Sequence, residues 1–295
     1  MKKNPLISII INCYNGEKYL KHAIQSVINQ SYIYWEIIFW DNQSKDKSAD
    51  IVKSFKDDRI KYYYSKKFMK LYEARNEAIK KINGEYLCFL DCDDYWHKDK
   101  LINNLEAFTD SNIDIVYSKI TYIKHLWKFR FYKNQKYNFY PSGSNLIGYF
   151  LQFPTGLASL MIKSNLIIHG KKFFNDEYEI LADYDFVLNQ SKFKIFKGIN
   201  KSLVFYRLHG SNFTTKNNDK QITEQQRWIN NLKLNNDIIY QNPNFKFLIQ
   251  NLNYIKTMNS VSNGNFNNLI KLLKNHKSVY NKFKFILAFI FRLRF

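Results

Sequence analysis

Asp91, Asp93 and Asp94 follow the apolar run Tyr86-Leu87-Cys88-Phe89-Leu90 and precede Tyr95-Trp96. A run that apolar fits a buried central strand. Such a strand has no need to end in three acids, because clustered carboxylates repel one another unless a cation or donors compensate. A divalent cation carrying a phosphate-rich ligand compensates well, since hard cations favour carboxylate and phosphate oxygens. The alternative is a solvated turn in which Asp93 or Asp94 caps the next helix. Both readings are open on these residues alone.

The preceding chain must position that cluster. Leu6 to Asn12 is a β-branched run that fits a first buried strand, and Gly16 to Asn29 carries Tyr19, Leu20, Ala23, Ile24 and Val27 at helical spacing. Strands are expected at Glu36–Trp40, Ile60–Tyr64 and Tyr86–Leu90, with helices at Ser48–Phe55 and Leu71–Ile82. This alternation predicts an α/β fold, a largely parallel sheet with helices on both faces. Ligands of such sheets bind beyond the carboxyl ends of the strands, where Asn12, Asp41 and Asp91 all fall. Beyond Lys100 the pattern weakens. A helix is expected over Leu101–Phe108, a strand over Ile113–Tyr117, a helix start within Asp176–Asn189 and a short strand over Leu203–Tyr206. Residues after 214 look helical and rich in Asn and Lys.

The 295 residues suffice for one large α/β domain or two smaller ones, and a hydrophobic content of 45% supplies a core. The formal net charge of +20 implies an anionic partner: nucleic acid, anionic lipid or a phosphorylated small molecule. A codon bias toward Lys and Asn gives the same composition without functional meaning. Tyr122–Tyr140 interleaves Lys124, Lys128, Arg130, Lys133 and Lys136 with Trp127, Phe129, Phe131 and Tyr132. That pattern suits single-stranded nucleic acid, but an antiparallel hairpin with one solvated face is favoured, and nucleic acid is not the expected partner. Cys13, Cys88 and Cys92 have no shared metal-ligand spacing, and the odd count without a signal peptide points to a reducing cytosol. No stretch has the roughly 18 apolar residues of a spanning helix.

These motifs together resemble the family 2 glycosyltransferases of the GT-A fold. Pro5–Asn15 resembles the family's opening strand and loop. Glu36–Asp46 resembles its second-strand motif, commonly Asp-Asp-Gly-Ser-x-Asp, with Asn42 and Gln43 replacing the second Asp and the Gly. Ala74-Arg75-Asn76 and Asn83-Gly84-Glu85-Tyr86 resemble the approach to the metal motif, and Asp91-Cys92-Asp93 matches Asp-x-Asp. Ala182-Asp183-Tyr184-Asp185 resembles the family's Glu-Asp-Tyr-Asp region, and Tyr206-Arg207-Leu208-His209 its late Tyr-Arg-x-His segment.

The resemblance implies a Rossmann-like, mostly parallel central sheet flanked by helices, with a helical C-terminal extension. Residues 1–100 would be the nucleotide-sugar-binding half and 101–214 the acceptor-binding and catalytic half of one domain, with 215–295 as the extension. The implied activity is inverting, metal-dependent hexosyl or N-acetylhexosaminyl transfer. The expected donor is a UDP-sugar, and the acceptor a hydroxyl of a glycan or lipid-linked glycan in bacterial surface-polysaccharide or lipooligosaccharide synthesis. Asn12, Tyr14, Asp41, Arg75, Asp91 and Asp93 would hold the donor, with Asp41 on the nucleobase. Asp93, Asp91 and His209 would hold Mn²⁺ or Mg²⁺. Asp183 would be the general base, with Asp185 as runner-up. Helix capping for Asp183, a solvated helix position for Arg75 and a structural role for His209 remain alternatives, as does a non-catalytic binding protein of the same fold. Lys282–Phe295 sets an apolar core among Lys282, Lys284, Arg292 and Arg294, as an interfacial helix would. The expected location is cytoplasmic, with that tail either on the anionic inner face of a bacterial inner membrane or packed on protein. Oligomeric state is left open.

Overall fold

The β-branched run extends as expected, and β1 (Ile7–Cys13) is buried along its whole length. Complete burial is the condition of a central parallel strand covered on both faces. α1 (Glu17–Ile28) lays Leu20, Ala23, Ile24 and Val27 against Ile7, Ile9 and Ile11 on one face. β2 (Trp35–Asp41) is equally buried and pairs parallel with β1. α2 (Ser48–Lys53) leads to β3 (Ile60–Tyr64), parallel to β2. α3 (Leu71–Ile79) packs on β1 and β2, and β4 (Tyr86–Phe89) pairs parallel with the free side of β1. The structure, a computed structural model, describes residues 4–126, 129–134, 139–168 and 170–275.

Then come β5 (Tyr95–Trp96), α4 (Lys100–Glu106), β6 (Ile115–Leu126), β7 (Phe129–Asn134), α5 (Ile147–Gln152), β8 (Met161–Lys163), α6 (Ala182–Ser191) and β9 (Phe196–Leu208). The sheet order is β3-β2-β1-β4-β8-β6-β9-β5, with β7 paired to β6. β8 is antiparallel to β4 and β6, β9 is parallel to β6, and β5 is antiparallel to β9. Among the described residues, β3, β2, β1, β4, β6 and β9 therefore share one direction. This is the mostly parallel α/β sheet expected.

The second half departs from expectation in extent. β6 begins at Ile115 rather than Ile113 and runs on to Leu126, and the short strand expected over 203–206 occupies Phe196–Leu208. Each is the other's template. Backbone groups paired over this length hold polar residues such as Lys119 and Ser202 in the strands. A register shift at Ser118–Ile120 absorbs the mismatch as an irregularity. β5 and β8 are too short to carry a readable alternation. The basic aromatic segment pairs β6 with β7 as a hairpin, and Trp127, Lys128 and Lys136 lie outside the described residues.

The chain divides into two compact units, Met1–His209 and Gly210–Phe295. The second contains α7 (Phe213–Lys216), α8 (Asn218–Leu234), α9 (Ile238–Gln241), α10 (Phe245–Ser262) and α11 (Phe266–Asn275). Met258, Val261 and Leu269 form a small core there. Among the described residues no helix is long and apolar enough to cross a membrane. The basic tail 282–295 lies outside the described residues.

One buried acid ties the first strands together at the end opposite the strand-end acids. Glu36 accepts from Ser8 Oγ at 2.6 Å, Asn83 N–H at 2.7 Å and Lys61 Nζ at 2.5 Å. Gly84 lets that turn approach, since a Cβ there would fall 2.5 Å from Ser8 N. Desolvation pushes the Glu36 pKa up, but Lys61, Ser8 and Asn83 together outweigh it and leave it below the ordinary value. Glu36→Ala should therefore lose about 3 kcal/mol in a denaturant titration, because buried donors are left unpaired. A depressed folded pKa means this contribution is present above the unfolded value and is lost as pH falls through the folded one. Glu36→Gln should flatten the acid side of the stability profile.

Candidate active site

The strand-end acids do not face one environment. Asp91 sits just beyond β4, and Arg75, projecting from α3 and nearly fully buried, places Nη2 2.5 Å from its Oδ1. Desolvation raises the Asp91 pKa, Arg75 opposes this, and Asp93 adds a further upward push. The Arg75 guanidinium also lies over the Tyr72 ring, 4.8 Å from its centroid. Burial, with the Asp183 charge beside it, pushes the Tyr72 phenol well up. One buried cation thus stands between two acids from β4 and α6, and they hold its pKa above the ordinary arginine value against desolvation.

Asp183 lies in the first turn of α6, one residue past the start, with Leu181 rather than Asp183 at the N-cap. Its Oδ1 accepts from its neighbour's Tyr184 N–H at 2.8 Å. Desolvation raises its pKa, partly offset by Arg75, Tyr184 and Tyr72. Asp185 bonds within its own helix, accepting from Asn189 Nδ2 at 3.0 Å.

The other side of the cluster is built by β9. The pairing Tyr95↔Phe205 in antiparallel register carries residue 207 opposite residue 93. Arg207 Nη1 donates to the Asp93 carbonyl at 2.6 Å, and its backbone N–H donates to Asp94 Oδ1 at 2.9 Å. The guanidinium lies over the rings of Tyr19 and Tyr95 and meets His22 Nδ1. Two residues on, His209 Nε2 is 3.0 Å from Asp93 Oδ2, and its ring lies 4.9 Å from that of Tyr19. Asp94 is fully buried, its second oxygen is unpartnered, and desolvation together with Asp93 and Asp91 drives its pKa well up.

The remaining candidates line the ends of β1 and β2. Asn12 is 8% exposed, and neither atom of its side-chain amide has a partner. Such an orphan is costly in a buried place and suits a ligand that supplies both halves of the bond. Tyr14 is 49% exposed and edge-on to Phe68, with centroids 4.9 Å apart. Asp41 is fully buried and turned inward: Oδ1 accepts from Ser44 N–H at 2.7 Å and Oδ2 from Tyr62 Oη at 2.6 Å. Asn42 pairs both amide atoms with the Met69 backbone, at 2.8 and 3.1 Å. An aspartate could not make the donor half of that pair, which gives the departure from the usual motif a structural reason.

The expected ligand set Asp93, Asp91 and His209 is not gathered as one. Among the described residues no three His, Cys, Asp or Glu side chains converge as a metal centre. Arg75 claims Asp91, leaving the Asp93 carboxylate and the His209 imidazole as the close pair. That donor set still fits a divalent cation such as Mn²⁺ or Mg²⁺, which commonly takes one or two protein groups and completes its shell with phosphate oxygens and water. The sequence assigns no site role to Arg207, Asp94, Tyr72 or Asn42. Arg207 sits inside the Tyr206–His209 segment, and Asp94 adjoins the acid pair, so both carried a signal. Tyr72 and Asn42 are identifiable only through their partners.

Residues 8–168 match the family described as Glycosyl transferase family 2. The chain is 39% identical over 104 residues to the putative teichuronic acid biosynthesis glycosyltransferase TuaG of Bacillus subtilis, covering 35% of this chain and 41% of that protein. It is 34% identical over 120 residues to the UDP-Glc:alpha-D-GlcNAc-diphosphoundecaprenol beta-1,3-glucosyltransferase WfgD of Escherichia coli, covering 41% and 47%. The chain thus spans less than half the length of these curated relatives. In structure it resembles residues 1–349 of S. aureus TarS in complex with UDP-GlcNAc, with a TM-score of 0.61 at 15% identity, over 97% of this chain and 72% of that one. At that identity the likeness speaks for the fold.

The Asp94–Arg207 contact can be tested without substrate. Asp94→Asn keeps the acceptor at Oδ1 and should change stability by less than about 1 kcal/mol, whereas Asp94→Ala leaves the Arg207 N–H unpaired and should lose about 1–3 kcal/mol. Equilibrium denaturation of the two variants makes the comparison.

Proposed function

The chain belongs to glycosyl transferase family 2, and on that premise we propose that it moves a sugar from a nucleoside-diphosphate donor, with inversion, to a hydroxyl of a glycan or lipid-linked glycan acceptor. The observation that carries the reading is the split environment of the acids. Asp93 stands beside His209 near the strand ends, while Asp183 lies across Arg75 with its pKa raised. One group is suited to a cation and diphosphate, the other to a proton.

In this reading residues 1–100 hold the donor and 101–214 receive the acceptor. Asn12 offers its unpartnered amide to the nucleotide and Tyr14 offers its exposed ring to the base. Asp41 acts on the nucleobase end through the turn it fixes with Ser44. Arg75 orients Asp91, which would hold the donor ribose or assist the metal through water. Asp93 and His209 would hold Mn²⁺ or Mg²⁺, and the bound metal would stabilise charge growing on the departing diphosphate. Asp183 accepts the acceptor hydroxyl proton as the oxygen attacks the anomeric carbon. A UDP-sugar is the expected donor, in keeping with the names of WfgD and of the TarS complex. The same relative's lipid-linked acceptor gives the basic tail 282–295 a role at an anionic membrane face. Vesicle co-sedimentation of the full chain against a version ending at Asn281 tests that role, and equal negligible binding refutes it.

Transfer is tested by incubating the protein with a nucleotide-sugar panel, Mn²⁺ and lipid-linked acceptors, following diphosphate release and acceptor mass. Asp93→Ala should abolish transfer and leave the fold intact, and chelation of divalent metal should do the same reversibly. Asp183→Asn should lower turnover by about 10²–10⁴-fold while donor affinity is kept. A base acts only when ionised, so its raised pKa moves the acid limb of the turnover–pH profile above the ordinary aspartate value of about 3.9. Near-wild-type turnover in the Asp93 variant, or equal loss of donor affinity in the Asp183 variant, rejects the corresponding role.

A further inference from the structure

Cys92 lies between the two acids of the proposed donor site, and its sulfur and that of Cys13, at the end of β1, both stand against Gly16. The backbone explains the meeting. β1 and β4 pair in parallel with Ile10 opposite Phe89, and Leu90 N–H still reaches the Ile10 carbonyl. The chain then turns over Asp91–Asp94, where the Asp94 N–H donates to the Asp91 carbonyl, and Cys92 falls in that turn. Cys13 belongs to the core that β1 shares with α1, and Cys92 packs against it. Gly16 leaves the room: a Cβ there would stand 2.7 Å from Cys13 Sγ and 3.0 Å from Cys92 Sγ. The third cysteine, Cys88, is buried beside Lys100 Nζ at 3.4 Å.

We propose that Cys13 and Cys92 are a thiol-modification site that closes as a disulfide across the donor site and draws the Asp91–Asp93 segment away from its partners. Both sulfurs lie within 3.0 Å of the Cβ position of Gly16, near enough for a modest movement of residue 92 to bring them to bonding distance. Cys92 is partly exposed and Cys13 buried, which sets the order of events. The oxidant class is a small disulfide such as oxidised glutathione. The Cys92 thiolate attacks one of its sulfurs, forming a mixed disulfide and releasing one glutathione thiol. The Cys13 thiolate then attacks Cys92 Sγ and displaces the second glutathione. Two protein S–H bonds and one glutathione S–S bond are consumed. One protein S–S bond and two glutathione thiols form, so two electrons pass from protein to glutathione disulfide. Forming the bond pulls on residue 92, and both Asp91–Arg75 and Asp93–His209 depend on where that segment stands. The bond itself does not depend on the proposed function, but its effect on donor binding does.

The test treats the full chain with oxidised glutathione, removes the reagent and takes intact mass and a non-reducing peptide map. The expected product is lighter by about 2 Da, the two hydrogens of the exchange, with the Cys13 and Cys92 peptides joined, and is reversed by dithiothreitol. Cys13→Ser should instead stop with one glutathione held on Cys92. Unchanged mass, a wild-type product that stops at the glutathione adduct, or a link through Cys88 overturns the site. Calorimetry with UDP and Mn²⁺ gives the second readout. The oxidised form should bind at least about tenfold more weakly than the reduced form, as displacement of site groups predicts. Equal affinity overturns the coupling to the donor site. If the reduced protein fails to bind UDP, the functional reading falls while the mass result stands by itself.

Discussion

Three carboxylates follow one another where β4 ends and a fourth stands across Arg75, and two arginines from distant segments allow the chain to fold that way. Asp91, Asp93, Asp94 and Asp183 would repel one another in a site partly removed from water. Arg75 enters from α3 and stands between Asp91 and Asp183, and Arg207 enters from β9 and binds the backbone of Asp93 and the carboxylate side of Asp94. Arg75 is buried over Tyr72, and Arg207 lies over Tyr19 and Tyr95 beside His22. The aromatic rings exclude water from the cations and leave their hydrogen-bonding edges aimed at the acids. The sheet must therefore be complete, out to β9 and β5, before Asp93 and Asp94 meet Arg207.

Compensation is uneven, and the unevenness gives each acid a different capacity. Asp91 is matched by a cation and Asp94 is buried with one oxygen unpartnered. Asp93 keeps a carboxylate oxygen beside an imidazole, and Asp183 has its proton affinity raised by desolvation. The proposed transfer needs both kinds of group, one to meet diphosphate charge and one to take a proton. The orphaned amide of Asn12 and the exposed ring of Tyr14 lie on the β1 side, where a nucleotide would extend from the diphosphate.

The departures from the usual motif are equally physical. Asn42 stands where an acid is common, and its amide supplies the donor that the Met69 carbonyl needs as well as the acceptor for the Met69 N–H. That pairing holds the segment bearing Phe68 opposite Tyr14. Asp41 keeps its place in the motif but spends both oxygens on Ser44 and Tyr62, fixing the turn rather than reaching outward.

The first ninety residues were legible because their information is local. Apolar runs at Ile7–Cys13, Trp35–Asp41 and Tyr86–Phe89 alternate with helical spacing, and burial on both faces follows from composition alone. The convergence of Asn12, Asp41 and Asp91 on one rim follows from strand direction, which the same alternation determines. What each polar group does on that rim was decided by tertiary structure. Asp91, one of the three expected ligands, is engaged by Arg75, sixteen residues back in the chain, and Asp93 meets His209 116 residues on. β6 and β9 run far beyond their apolar centres because each pairs the other's backbone, a condition that no local pattern records. Periodicity encodes which side of an element is buried. The partner of a buried charge or thiol depends on which distant segments the sheet order brings together, and that order exists only in the folded chain.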